Sequence, residues 1–209
     1  MNTLHDLTFY HCPNSRSTGV LILLKELAAE YQLHPLNMKK NEQLSPAFLA
    51  INPMGKVPAL KHGEAIITEQ SAIYIYLADL YPDAHLAPPI GDPLRGPYLR
   101  WMVFYSSCFE PAIIDRSQKR AEAPRGMSPY ADFDTMFSTL VDQLGKGDYL
   151  LGDKMTAVDL LWGTSLNWIT KFQLISPLPV ITAYIDRVNA RPSIDWARAK
   201  DAELGTTFT

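Results

Sequence analysis

The stretch Asn52-Pro53-Met54-Gly55-Lys56-Val57-Pro58-Ala59-Leu60 joins turn residues to a short apolar run, and its backbone is the first candidate for chemistry. Asn52-Pro53 and Gly55 are turn formers. Val57-Pro58-Ala59-Leu60 reads as a strand with a proline near its start, where a missing N–H removes no ladder bond. The residue before a proline is pushed into extended backbone. Val57 is therefore expected to turn its N–H and C=O outward, unpaired, as an edge to which an extended peptide adds by main-chain hydrogen bonds. An ordinary edge strand has the same pattern, but the downstream residues favour binding: Ile66-Ile67-Thr68 follows at hairpin distance, and Glu69-Gln70 sets a polar pair where a helix begins. First-turn N–H groups and the helix dipole favour an anion at such a place.

The elements that must position these groups follow from periodicity. Leu7-Thr8-Phe9-Tyr10 alternates as a first strand, broken by His11-Cys12-Pro13-Asn14-Ser15. Val20, Leu23, Leu24, Leu27, Ala28 and Tyr31 recur at helical spacing opposite Lys25, Glu26 and Glu30, which predicts an amphipathic helix packed on a sheet. Leu33 to Met38 reads as a second strand, parallel to the first through a right-handed crossover. An irregular stretch leads to the Val57 strand, a turn at His62-Gly63-Glu64, a strand from Ala65 to Thr68, and a helix from Glu69 to Tyr81 that Pro82 stops. This order is a thioredoxin-like α/β arrangement over residues 1–82.

Residues 83–93, rich in Pro, Ala and Gly, read as a linker, and residues 94–209 carry helical patterns throughout. Asp92-Pro93 and Ser128-Pro129 are N-cap and first-turn proline signals, the second opening the stripe Phe133, Met136, Phe137, Leu140, Val141 and Leu144. Thr156-Ala157-Val158-Asp159 is an acidic variant of the capping box. Trp101, Met102, Tyr105, Cys108 and Phe109 share a helical face.

A chain of 209 residues with 47% apolar content has room for two small domains. A net charge of −3 without a run of Lys or Arg argues against a nucleic-acid partner. Apolar runs such as Val20 to Leu24 fall short of the ~20 residues of a membrane span. Met1 to Asp6 lack a basic segment followed by an apolar one, so a cytoplasmic location is expected. Cys12 and Cys108 provide neither a disulfide framework nor metal-ligand spacing.

The pattern at Asn52–Leu60, the hairpin after it and Glu69-Gln70-Ser71-Ala72-Ile73 resemble the thioredoxin-like half of the cytosolic glutathione transferases. Gly152-Asp153 with the capping box after it resembles the helical half of that family, so the resemblance spans nearly the whole chain. It implies a thioredoxin-like α/β N-terminal domain plus an all-α C-terminal domain, a cis peptide before Pro58, and a homodimer. It also implies a glutathione transferase that holds its co-substrate glutathione as the thiolate for attack on an apolar electrophile, with no metal. A glutathione-dependent disulfide or peroxide reductase and a non-catalytic protein-binding module are the alternatives on the same fold.

Roles follow from that resemblance. The γ-glutamyl end of glutathione falls to Glu69 and Gln70, with Glu69 facing the ammonium; the family has Ser or Thr at the second place, so Gln70 is a departure. The cysteinyl backbone falls to Val57 beside Pro58, and the glycyl carboxylate to Lys56 and Gln43, with Lys39 and Lys40 as looser candidates. Lowering a thiol pKa of ~8.5 by about two units takes roughly 2.7 kcal/mol, within reach of one or two hydrogen bonds to charged sulfur at ~1.5–3 kcal/mol each. Ser15 leads as the donor, Asn14 stands in register with the serine of some classes, Cys12 is third, and Tyr10 and Ser17 complete the set. Tyr105 and Phe109 are the expected lining of an electrophile pocket in the cleft between the domains.

Overall fold

The computed structural model describes residues 6–121 and 123–208. The chain forms two compact units, one running to Ala84 and resuming at Arg191, the other from His85 to Ala190.

The first unit contains β1 (Leu7–His11), α1 (Ser17–Glu26), β2 (Gln32–Pro35), α2 (Pro46–Leu49), β3 (Ala59–His62), β4 (Ala65–Thr68) and α3 (Gln70–Leu80). Its sheet has the order β2-β1-β3-β4, with β1 and β2 parallel and β3 antiparallel to both of its neighbours. Phe9 lies opposite Leu33 on one side and Leu60 on the other. Leu7, Phe9 and His11 occupy the buried face of β1, against which α1 buries Val20 through Leu24. This is the expected thioredoxin-like arrangement, with local differences. The sheet takes up the third strand at Ala59, not Val57, α1 stops at Glu26, and β2 stops at Pro35. The stretch read as irregular holds two 3₁₀ turns and the short α2, which Ser45 caps by accepting the Phe48 N–H.

In the second unit α4 (Arg95–Phe104) runs through a π-helical turn (Tyr105–Phe109) into α5 (Glu110–Ser117), followed by α6 (Phe133–Leu144), α7 (Ala157–Lys171) and α8 (Pro179–Asn189). Its core closes around Trp162, whose indole N–H donates to the Trp101 carbonyl at 3.0 Å. Gly163 admits Val188 so closely that a Cβ there would lie 2.5 Å from a valine methyl. The capping box at Thr156 and Asp159 forms, and the buried Asp159 carboxylate also accepts from the Leu150 N–H at 2.9 Å and the Tyr184 hydroxyl at 2.8 Å. Asp132, not Ser128, caps α6, accepting the Thr135 N–H at 2.7 Å. Asp92 accepts the Leu94 N–H, so α4 begins two residues later than the proline signal indicates.

The last helix, α9 (Pro192–Thr207), belongs to the first unit, although the sequence pattern groups it with the helical domain 94–209. It is joined to α1 by a two-bond Arg191–Glu26 pair and by the Ser193 hydroxyl, which also donates to Glu26. Among the described residues no helix is long and apolar enough to cross a membrane.

Candidate active site

The loop before β3 is fixed by the side chain of Asn52, which is 3% exposed. Its Nδ2 donates to the Lys56 carbonyl at 2.8 Å and its Oδ1 accepts the Met54 N–H at 3.1 Å. Gly55 has φ +61°, and a Cβ there would lie 2.9 Å from Leu44 Cδ2 and 3.1 Å from the Gln43 carbonyl oxygen. Glycine is thus required by both conformation and space, and its close approach brings Gln43 against the loop. The Val57–Pro58 peptide is cis, as the resemblance implies. Strand pairing begins at Ala59, and among the described residues the N–H and C=O of Val57 have no partner. Lys56 stands exposed beside it. Lys39 and Lys40 are exposed on a 3₁₀ turn that Asn37 caps.

Glu69 heads α3 with φ +66° and ψ +119°, and its carboxylate makes no bond to the helix it starts. A non-glycine residue in such a region costs about 1–3 kcal/mol, and conformations of this kind concentrate at ligand sites. Gln70, the departure from the family pattern, donates its amide to the Arg16 carbonyl at 3.1 Å and so ties the start of α3 to the start of α1. Among the described residues its Oε1 is buried without a partner, as is that of Gln43.

The turn between β1 and α1 holds the thiol-activating candidates. Cys12 is 9% exposed and burial pushes its thiol up, which opposes a role as a resident thiolate. Tyr10 packs its ring 5.0 Å from His34 and 5.7 Å from Phe48, in the same apolar cluster as Val57. Asn14 takes φ +57°, gives its N–H to Asp201 Oδ2 at 2.8 Å, and keeps its side chain exposed. Ser15 is half-buried, its Oγ 2.7 Å from both the Cys12 carbonyl and Ser17 Oγ. Ser17 is fully buried, 2.8 Å from His11 Nδ1, and it accepts the Cys12 N–H at 3.0 Å.

His11 and Asp201 escape a sequence-based reading. His11 Nε2 lies 2.9 Å from Asp201 Oδ1, across most of the chain's length. Burial alone would raise the Asp201 pKa, but donors from His11, Thr18 and Asn14 outweigh it and hold the carboxyl below its usual range. The one local signal is that His11 takes up the buried register of Leu7 and Phe9.

Tyr105 and Phe109 are 2% and 0% exposed, and their rings pack 5.4 Å and 4.7 Å from Trp162. Their spacing marks the core of the helical unit, which corrects their assignment to a pocket lining. Among the described residues no group of metal-binding side chains is assembled.

Two family models match the chain, Glutathione S-transferase, N-terminal domain, over residues 5–79, and Glutathione S-transferase, C-terminal domain, over residues 115–199. A glutathione S-transferase of Hyoscyamus muticus is 28% identical over 193 residues, covering 86% of this chain and 90% of that protein. A glutathione transferase structure from Methylococcus capsulatus matches with a TM-score of 0.76 at 29% identity, covering 94% of this chain and 99% of that one. A glutathione transferase homologue from Sulfitobacter, solved with bound glutathione, matches with a TM-score of 0.75 at 27% identity over 94% and 98% of the two chains. With both halves matched in order and a cis peptide before Pro58, the chain belongs to the glutathione S-transferases.

Proposed function

We propose that the first unit binds glutathione with its cysteinyl main chain paired to Val57 and activates the thiol through Ser15 for attack on an apolar electrophile. The observation that carries this reading is the unpaired Val57 backbone ahead of cis-Pro58. It is the kind of edge to which an extended peptide adds by two main-chain bonds. The γ-glutamyl carboxylate goes to the N-terminus of α3, where N–H groups and the dipole favour it. Glu69 and the unpartnered Gln70 Oε1 are acceptors for the ammonium. The glycyl carboxylate goes to Lys56, with Gln43 behind it against Gly55.

Ser15 is preferred as activator because its hydroxyl sits at a half-buried turn with neighbours that fix its direction. One hydrogen bond to the charged sulfur, at ~1.5–3 kcal/mol, lowers a thiol pKa by about one to two units. The thiolate then attacks the electrophile and forms a thioether, by substitution or addition. Cys12 supports a reductase reading poorly, because a buried thiol with a raised pKa is slow to form a mixed disulfide. A cytoplasmic homodimer fits the family likeness and the two free cysteines; light scattering of the purified protein tests the dimer.

The test of the function is retention on immobilised glutathione together with thioether formation from an activated aryl halide. Binding without thioether formation and without a lowered thiol pKa supports the protein-binding alternative. Disulfide turnover without thioether formation supports the reductase. Absence of both binding and thioether formation contradicts the transferase reading.

A further inference from the structure

Beneath the proposed thiol site the first unit buries a line of polar groups that peptide binding does not require. Asp201 Oδ1 is 2.9 Å from His11 Nε2, His11 Nδ1 is 2.8 Å from Ser17 Oγ, and Ser17 Oγ is 2.7 Å from Ser15 Oγ. His11 and Ser17 are 0% exposed and Asp201 is 3% exposed, whereas Ser15 is half-buried. An apolar residue at position 11 would continue the Leu7 and Phe9 face of β1. A buried carboxylate–imidazole pair is often no more stabilising than well-packed apolar residues of the same volume, which leaves room here for a role beyond stability.

The hydrogen-bond inventory sets a direction along the line. Asp201 also accepts the Thr18 hydroxyl at 2.6 Å and the Asn14 N–H at 2.8 Å, and these donors hold it as a carboxylate. A carboxylate cannot donate, so His11 Nε2 carries a proton. In the neutral ring Nδ1 is then an acceptor for the Ser17 hydroxyl at 2.8 Å, whose proton also has the Cys12 carbonyl within reach at 3.0 Å. The Ser15 proton has Ser17 Oγ and the Cys12 carbonyl within reach, each at 2.7 Å.

The geometry points to His11 as the group that takes up the proton of the glutathione thiol, passed along the hydroxyls of Ser15 and Ser17. This rests on the reading of Ser15 as the thiol's partner. The S–H bond breaks as its proton passes to Ser15 Oγ, the Ser15 proton passes to Ser17 Oγ, and the Ser17 proton passes to His11 Nδ1. The sulfur keeps the electron pair as thiolate, both hydroxyls are regenerated, and His11 becomes an imidazolium facing Asp201. Every hydrogen bond then points outward: Nδ1–H to Ser17, Ser17 to Ser15, Ser15 to sulfur. An unpaired buried imidazolium would be costly, and the Asp201 carboxylate supplies its partner. Around His11, α9 presents Asp201, α1 presents the Ser17 and Thr18 hydroxyls, and β1 presents the Phe9 ring at 5.6 Å and the Cys12 thiol next in sequence. His11, Ser17 and Asp201 are positioning residues that act through Ser15.

The test is a titration of the intact protein with glutathione near pH 7, counting protons released in buffers of different ionisation enthalpy and thiolates formed by ultraviolet absorbance. The wild type is expected to form thiolate while releasing far fewer protons than thiolates. His11→Gln keeps neutral hydrogen bonding but cannot hold the proton. It should bind glutathione within about twofold of wild type, with a bound-thiol pKa about one unit higher and so a thiolate-to-thiol ratio about tenfold lower. Release of one proton per thiolate by the wild type overturns the inference, as does a wild-type thiol pKa in a folded His11→Gln protein. If that variant does not fold, the wild-type proton count decides alone. Ser15→Ala separates the two levels: an unchanged thiol pKa there refutes the role of Ser15, whereas a raised one beside full proton release by the wild type leaves Ser15 in place and removes the relay.

Discussion

Replacing Gly55 with alanine loads the loop that presents Val57 without removing any group proposed to contact glutathione. Its φ of +61° costs an L-residue about 1–2 kcal/mol. The new Cβ would also stand 2.9 Å from Leu44 Cδ2 and 3.1 Å from the Gln43 carbonyl oxygen. Leu44 is 55% exposed and can swing outward, so the first contact is relieved at little cost. The Gln43 carbonyl is backbone and must move by a few tenths of an ångström, carrying with it a candidate for the glycyl carboxylate. The expected loss of stability is roughly 1.5–3 kcal/mol, read from the urea midpoint at constant m-value. If about 1.4 kcal/mol of that loss falls on the proposed glutathione seat, KM for glutathione rises about tenfold, while kcat, which the proposal assigns to the Ser15 turn, stays within about threefold. Wild-type stability together with wild-type KM would refute the reasoning that this close approach shapes the binding edge.

Ser15→Ala should lower kcat by about 10–100-fold near neutral pH at nearly constant KM, because it removes the proposed hydrogen bond to sulfur and leaves the proposed binding edge intact; steady-state kinetics against glutathione check this. Asp159→Ala strips the partner from the Leu150 and Thr156 N–H groups and the Tyr184 hydroxyl, and should destabilise the protein by roughly 3–5 kcal/mol without moving the thiol pKa of the bound fraction, as equilibrium unfolding and thiolate titration would show. Burial alone would raise the pKa of Glu26, but bonds from Arg191 and Ser193 outweigh it, and Asp201 is likewise held low. The stability these carboxylates contribute is complete above their unfolded pKa of about 4 and is lost as pH falls through their lower folded values. Acid unfolding should therefore steepen below about pH 4, and Glu26→Gln should flatten that limb in a series of urea melts.

The sheet and the proposed glutathione seat are legible in the sequence because their signals are local. Alternation marks Leu7 and Phe9, turn residues bracket the Val57 edge, and Glu69 stands at a helix start. The capping box at Thr156 is equally local and forms as read. What the sequence does not disclose are partnerships between distant segments. A helical pattern over 192–207 says that one face is buried, not that it returns to the first unit. Nothing near His11 announces Asp201, and nothing near Gln70 announces the Arg16 carbonyl. The stripe of Tyr105 and Phe109 fails for another reason: core and pocket lining demand the same apolar spacing, and packing against Trp162 decides between them. Ser128-Pro129 was outcompeted by Asp132, whose carboxylate accepts the Thr135 N–H as a charge-assisted cap.

A crystal structure of the protein with glutathione tests the central claim most directly. The account predicts the cysteinyl N–H and C=O of glutathione within hydrogen-bond distance of the Val57 C=O and N–H, the γ-glutamyl carboxylate at the start of α3, and Ser15 Oγ as the nearest donor to the sulfur. Glutathione bound with Val57 still unpaired would contradict it.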